Sequence, residues 1–447
     1  MEHCVSAALR AALVMALLAP ATSRSANAEE RPAIVVTPGS EQTYRAAVQR
    51  FADLSFFPGA ERAAAFQRAL AEALEFSSVF RVIDAEAFLG PAVTASLDDP
   101  PPVCSDWTQI GADALIEGEL RVDASERSAE FRVWDTARCR RLLRKRYRES
   151  GVGDASIVAR RIADDVVEAF TGVHGVSATE IAFVSNRSGS SEIYVMDADG
   201  SHPRAATANS SLNNFPSWSP NGDSILYTSY RSGNRPMLFI STRGQGRPGP
   251  VLRDGDSGRP QYRGVFDPTG DRIAVVLSAG GAAEVYTVRP GGRGLRRLTN
   301  NRVIDIAPTW SPDGKQIAFV SDRSGSPQVY VMDADGKNLR RLTYDGSYNT
   351  HPAWSPDGKW IAYESRIEGQ FDIWLIDPDG NVNVPLVFHP RNDESPSWAP
   401  DGTKVAFSST RRGRPDIYII DLSGENLRRL TRDAGSNTSP AWGPYPR

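Results

Sequence analysis

Across roughly the last 270 residues of this 447-residue chain, apolar triplets return with the same neighbours: Ile181-Ala-Phe, Ile225-Leu-Tyr, Ile273-Ala-Val, Ile317-Ala-Phe, Ile361-Ala-Tyr and Val405-Ala-Phe. An aromatic recurs with them at Trp218, Phe266, Trp310, Trp354, Trp398 and Trp442, spaced by 48, 44, 44, 44 and 44 residues. Short apolar runs bounded by Gly, Pro and Asp predict buried strands. Four such runs in a period near 44 predict the blades of a β-propeller. The runs are continuous rather than alternating because a blade is covered on both faces, and their Ala residues let neighbouring blades approach. The innermost strand holds the Trp, and Ser-Pro-Asp-Gly follows as a type I turn. Ser-x-Arg-x-Gly turns begin at Ser185, Ser229, Ser321 and Ser409, and third strands read Ile193-Tyr-Val-Met or Val329-Tyr-Val-Met. Leu-Arg-Arg-Leu-Thr at 295–299, 339–343 and 427–431 suits a charged outer edge that discourages pairing with another chain.

The phase of the ends sets the blade count. The repeat opens at Ile181 with a second strand and closes at Trp442 with an innermost one. Residues 440–443 therefore supply the missing inner strand of the first blade, closing a ring of six. The fold class expected is an all-β six-bladed propeller over 177–447, preceded by a smaller mixed α/β domain over 29–176.

In that first domain, Ala33-Ile-Val-Val-Thr37 and Ala46-Ala-Val-Gln-Arg-Phe51 read as strands. Ala60–Phe76 carries Phe66, Leu70 and Leu74 at helical spacing. Strands follow at 80–84, 111–122 and 129–134, with a loop at 98–102. Asp154 is placed to cap a last helix through Val158, Ile162, Val166 and Phe170, ended by Gly172. Residues 138–148 hold seven Lys or Arg, read as a solvated strand face or a surface for an acidic partner.

Composition places the chain among globular proteins, and a formal charge of −3 gives no reason to expect nucleic acid as a partner. The first 28 residues have the pattern of an export signal: Arg10, the apolar run 11–19, then Ala26-Asn27-Ala28 as the cleavage site. The run is too short to span a bilayer. Cleavage after Ala28 leaves Cys104 and Cys139, and an even pair in an oxidising compartment favours a disulfide over two free thiols.

Candidate chemistry is sparse. Asp-x-Asp-Gly at Asp197, Asp333 and Asp377 resembles the start of a calcium loop, but the later oxygen ligands are missing, so it reads as hairpin chemistry. No Gly-x-Ser-x-Gly motif occurs, and only His174, His202, His351 and His389 follow the signal. No catalytic residue, metal ligand or cofactor is assigned. The segments before each innermost strand are richer. Asn213, Asp305, Asn349, Asp393 and Asn437 each lie three places before a Pro. Each alone reads as a turn that starts a strand. Together, with Glu394, they would ring one channel mouth with acceptors for a metal ion or for a partner's donors.

The export signal, Gly111-Ala-Asp-Ala-Leu-Ile-Glu-Gly, Ala163-Asp-Asp-Val-Val-Glu-Ala-Phe-Thr-Gly172 and the Trp-Ser-Pro-Asp-Gly repeat together resemble the TolB family of bacterial envelope proteins. The resemblance spans nearly the whole exported chain. It implies a periplasmic, monomeric, non-enzymatic member of the Tol–Pal system, which links the membranes and supports outer-membrane constriction at division. It implies that the Pal lipoprotein docks at the channel mouth, at Asp305, Ile306, Ala307, Asn349, Thr350 and His351, with Asp393, Glu394 and Asn437 in the corresponding places of the next blades. It also implies that TolA binds the N-terminal segment, at Glu29, Glu30, Arg31, Ile34, Val35, Val36 and Thr37. The loop Gln261-Tyr-Arg-Gly264 lacks the Pro of its counterparts. Two other functions are open on the same fold: a metal-dependent lyase or hydrolase in the channel, and a peptide or glycan receptor.

Overall fold

The computed structural model describes residues 43–123, 127–149, 155–233, 235–244, 247–252, 259–279, 282–367, 369–432 and 435–446. The expected strand at 33–37, the TolA-binding segment and the capping Asp154 lie outside these residues.

The N-terminal region is a mixed sheet of β1 (Tyr44–Val48), β2 (Ala52–Asp53), β3 (Phe80–Val82), β4 (Ala114–Val122), β5 (Arg127–Asp135) and β6 (Arg140–Glu149). The order is β3-β1-β4-β5-β6, with β2 beside β4. Helices α1 (Ala60–Phe76) and α3 (Ala155–Thr171) bury Phe66, Leu70, Ile162 and Val166 against Ala46, Val48 and Ile116. The alternate residues Ala47 and Leu115 turn to the other face, where Trp107 and Trp134 cover them. The strand expected at 46–51 ends at Val48, and Phe51 instead fills the space over Gly118, where a Cβ would lie 2.1 Å from its ring. A short helix, α2 (Cys104–Thr108), was not expected; its first residue forms the disulfide with Cys139, Cα atoms 5.7 Å apart. Gly172 ends α3 with φ +76°, its N–H bonded to the Glu168 carbonyl.

The propeller has six four-stranded blades. Blade I joins Asn437–Trp442 to Glu180–Ser185, Glu192–Asp197 and Arg204–Ala205, so the C-terminal strand closes the ring on the first. The innermost strands of blades II to VI are Asn213–Trp218, Gln261–Phe266, Asp305–Trp310, Tyr348–Trp354 and Asp393–Trp398. The recurring Trp is inter-blade architecture. The indole N–H of Trp218, Trp310 and Trp398 donates to the carbonyl of Ala441, Val265 and Ala353 on the preceding blade, at 3.0, 3.3 and 2.9 Å. A Thr just after the outer strand recurs in four blades: Thr207, Thr299, Thr343 and Thr431 accept from a third-strand N–H and donate to Glu192, Glu284, Gln328 and Asp416.

The two regions are joined by buried contacts. Arg160 of α3, almost fully buried, reaches Asp197, Asp199 and Ser201 in the third hairpin of blade I. Phe76 packs into the blade I and VI cluster, and Lys404 binds Ser78 and Asp421 beneath it. Asp164 accepts the N–H groups of Ser177 and Ala178 at the start of the propeller; burial pushes its carboxyl up to about 6 against those bonds.

Candidate binding site at the channel mouth

A cavity of about 400 Å³ lies on the propeller axis, lined from the middle of the innermost strands to the Ser-Pro turns that follow them. Every innermost strand carries one extra residue against its partner, between 214 and 217, 262 and 265, 306 and 309, 350 and 353, 394 and 397, and 438 and 441. One residue in each bulge is left-handed: Phe215, Arg263, Ala307, His351, Ser395 and Ser439, with φ between 39° and 58°. None is glycine, so each costs about 1 kcal/mol or more of backbone strain. Phe215, Arg263, His351, Ser395 and Ser439 line the channel.

The Asn and Asp residues three places before Pro are not that ring. Asn213, Asp305, Asn349, Asp393 and Asn437 are fully buried inside their blades. Arg323 donates to both Asp305 oxygens at 3.0 Å, Arg411 to both Asp393 oxygens at 3.0 and 3.1 Å, and Arg187 to Asn437 at 3.1 Å. The same arginines bind Ser321, Ser409 and Ser185 through Nε, and lie over the Phe and Tyr rings of their blades. Asn213, Asn349 and Asn437 also donate to Glu192, Gln328 and Asp416 of the preceding blade. The acceptors expected at the mouth are therefore taken up as rivets within and between blades. The reason is the strand register: the bulge falls after these residues, so the channel-facing position comes two places later.

Of the remaining expected residues, Ile306 and Glu394 are half-buried at the start of their strands, while Thr350 and Ala307 are buried. His351 enters the channel, and its Nδ1 lies 2.6 Å from Glu364. The other Glu364 oxygen accepts the Ser395 N–H at 2.7 Å. Burial disfavours the Glu364 charge, but His351, the Ser395 amide and Arg263 outweigh it, holding its carboxyl below the ordinary glutamate value. Burial raises Glu394, and the nearby charges of Glu364 and Asp393 push the same way. Burial also pushes Arg263 down to about 10, opposed by Glu364, and its guanidinium lies 5.7 Å from the Phe215 ring centre.

Glu364, Arg263 and Phe215 were not among the expected residues. A signal for Glu364 is present in the sequence: Ala362-Tyr-Glu-Ser365 stands where blade IV has Ala318-Phe-Val-Ser321, a charge inside an apolar strand. Phe215 and Arg263 had no comparable signal, since neither Gly nor Asn marks a left-handed bulge there. Elsewhere among the described residues, Asp165, Glu168 and His174 are grouped closely enough to hold a metal ion. Lys145 and Tyr147 already occupy both Asp165 oxygens.

Residues 32–142 match the TolB amino-terminal domain, and residues 167–446 match the TolB beta propeller domain. The chain belongs to the TolB family. The Tol-Pal system protein TolB of Anaeromyxobacter dehalogenans strain 2CP-1 is 37% identical over 304 residues, 68% of each chain. That of Desulfosudis oleivorans is 38% identical over 232 residues, 52% of each. The crystal structure of TolB from Acinetobacter baumannii, at 23% identity, shares the fold with a TM-score of 0.75, covering 91% of this chain and 98% of that one. As a Tol–Pal system component, this member of the TolB family is not an enzyme. No helix among its described residues is long and apolar enough to cross a membrane.

Proposed function

We propose that this TolB family member is a periplasmic adaptor, exported by cleavage after Ala28, that binds Pal at the channel mouth and TolA through residues 29–37. In that role it supports outer-membrane integrity and constriction at division. The observation that carries the Pal site is the ring of strained, non-glycine bulge residues around the channel, since strain of this kind collects where function requires it. Exposed Tyr344, Tyr348, Ile367 and Phe388 border the same end of blades V and VI, offering apolar area to a protein surface. The acidic and basic residues inside the mouth then provide orientation. Calorimetry with Pal from the same genome tests the reading. Binding by the wild-type protein, weakened at least tenfold in Ile306→Glu, supports it. Absence of wild-type binding, or unchanged binding in the variant, removes the site.

A further inference from the structure

Arg263 differs from the acidic groups Glu364 and Glu394 in its hydrogen bonding. Glu364 has both oxygens engaged, and Glu394 accepts from Asn392. By contrast, no acceptor among the described residues lies within hydrogen-bond or ion-pair distance of the Arg263 guanidinium. Its backbone N–H is satisfied by Thr228 at 3.0 Å, and its guanidinium rests over the Phe215 ring, favoured by the charge of Glu364 but not hydrogen-bonded to it. A guanidinium carries five N–H donors in a planar fork that suits a carboxylate. The bulge that presents it also departs from the repeat. Gly264 replaces the usual Pro, and a Cβ there would sit 2.5 Å from Leu238. The backbone of this bulge therefore packs closer to blade II than a larger residue would allow, with Arg263 set in the channel wall.

We propose that Arg263 anchors a carboxylate, carried on an Asp or Glu side chain of the protein that docks on the mouth and inserted into the channel. The proposal rests on the partner reading above and names the chemistry by which that partner is recognised. The axial cavity behind the bulge ring, of about 400 Å³, has room for one or two side chains and not for a folded domain, so the anchoring group must project from a loop. The positive end of the site is Arg263 itself, because His351 faces Glu364. The charge that burial makes costly in the free protein is then neutralised on binding.

The test is calorimetric titration of Pal into the wild-type protein, Arg263→Gln and Arg263→Lys at three ionic strengths, with thermal unfolding of each. The expected result is a loss of tenfold or more in affinity for Arg263→Gln, a shallower salt dependence and an unlowered unfolding midpoint. Arg263→Lys is expected to fall between the two, and it carries the test if the Gln variant unfolds. Affinity within twofold of wild type for Arg263→Gln, with the same salt dependence, overturns the anchor while leaving the partner reading intact. If wild type does not bind Pal, the partner reading fails and the site is judged alone. The Arg263 Nε–Hε resonance, assigned by its loss in Arg263→Gln, is then followed with N-acetylglutamate and with N-acetylglutamine. A saturable shift with the acid only sustains a carboxylate site, and no shift, or equal shifts, overturns it.

Discussion

Blades IV and V lie 44 residues apart in the same repeat, yet their channel ends are built differently. In blade IV, Arg323 closes a three-way contact with Ser321 and Asp305. In blade V the Arg position is Ile367, which is exposed. Asn349 Oδ1 and Ser365 Oγ, the counterparts of the two groups Arg323 satisfies, are buried without a hydrogen-bond partner. Blade V also carries Glu364 where blade IV has Val320, and His351 where it has Ala307. One blade spends its polar groups on its own closure. Its neighbour gives up that closure, exposes an apolar residue and sets a histidine, hydrogen-bonded to a buried carboxylate, against the channel. Loss of an architectural contact beside a gain of channel chemistry is the pattern expected where a repeat has been adapted to a partner.

Substitutions at equivalent positions separate the two blades. Asp305→Ala leaves Arg323 without its carboxylate in a mostly buried site, and should cost about 3 kcal/mol in urea unfolding. Asn349→Ala removes two donated bonds but no ion pair, and should cost only about 1–2 kcal/mol. Equal losses from the two would show that the blades are closed alike. Ile367→Arg restores the donor that Asn349 and Ser365 lack, and should stabilise by about 1 kcal/mol while weakening Pal binding. A destabilised variant would mean that blade V cannot accommodate the contact.

A smaller, pH-dependent difference follows from Glu364, since Val320 cannot titrate. The folded-state carboxyl lies below its ordinary value of 4.5, so its contribution is present above that pH and is lost as pH falls through the folded value. The stability advantage of wild type over Glu364→Gln should therefore shrink as pH is lowered below about 4.5. An advantage that is constant with pH would contradict the ionised assignment.

The architecture was legible because it repeats. Trp310, its Ser-Pro-Asp-Gly turn and the phase of Ile181 against Trp442 carry the six-bladed reading, and each is explained by contacts within or between blades. The channel ring was misplaced by two residues because the bulge that turns Ala307 and His351 leaves no glycine mark, while Asp305 and Asn349 are conspicuous only as rivets. Glu364 was readable as a break in an apolar strand. The pairing of that break with Ile367 becomes visible only once both are seen at the same end of one blade.

The most direct test of this division of labour uses two adjacent residues, Asp305 and Ile306. Affinity for Pal and unfolding midpoint are measured for Asp305→Asn and Ile306→Glu, at a temperature where both are folded. Asp305→Asn is expected to lower the midpoint and leave affinity within twofold, whereas Ile306→Glu keeps the midpoint and weakens binding at least tenfold. The reverse pattern, with Asp305→Asn abolishing binding at an unchanged midpoint, would contradict this division.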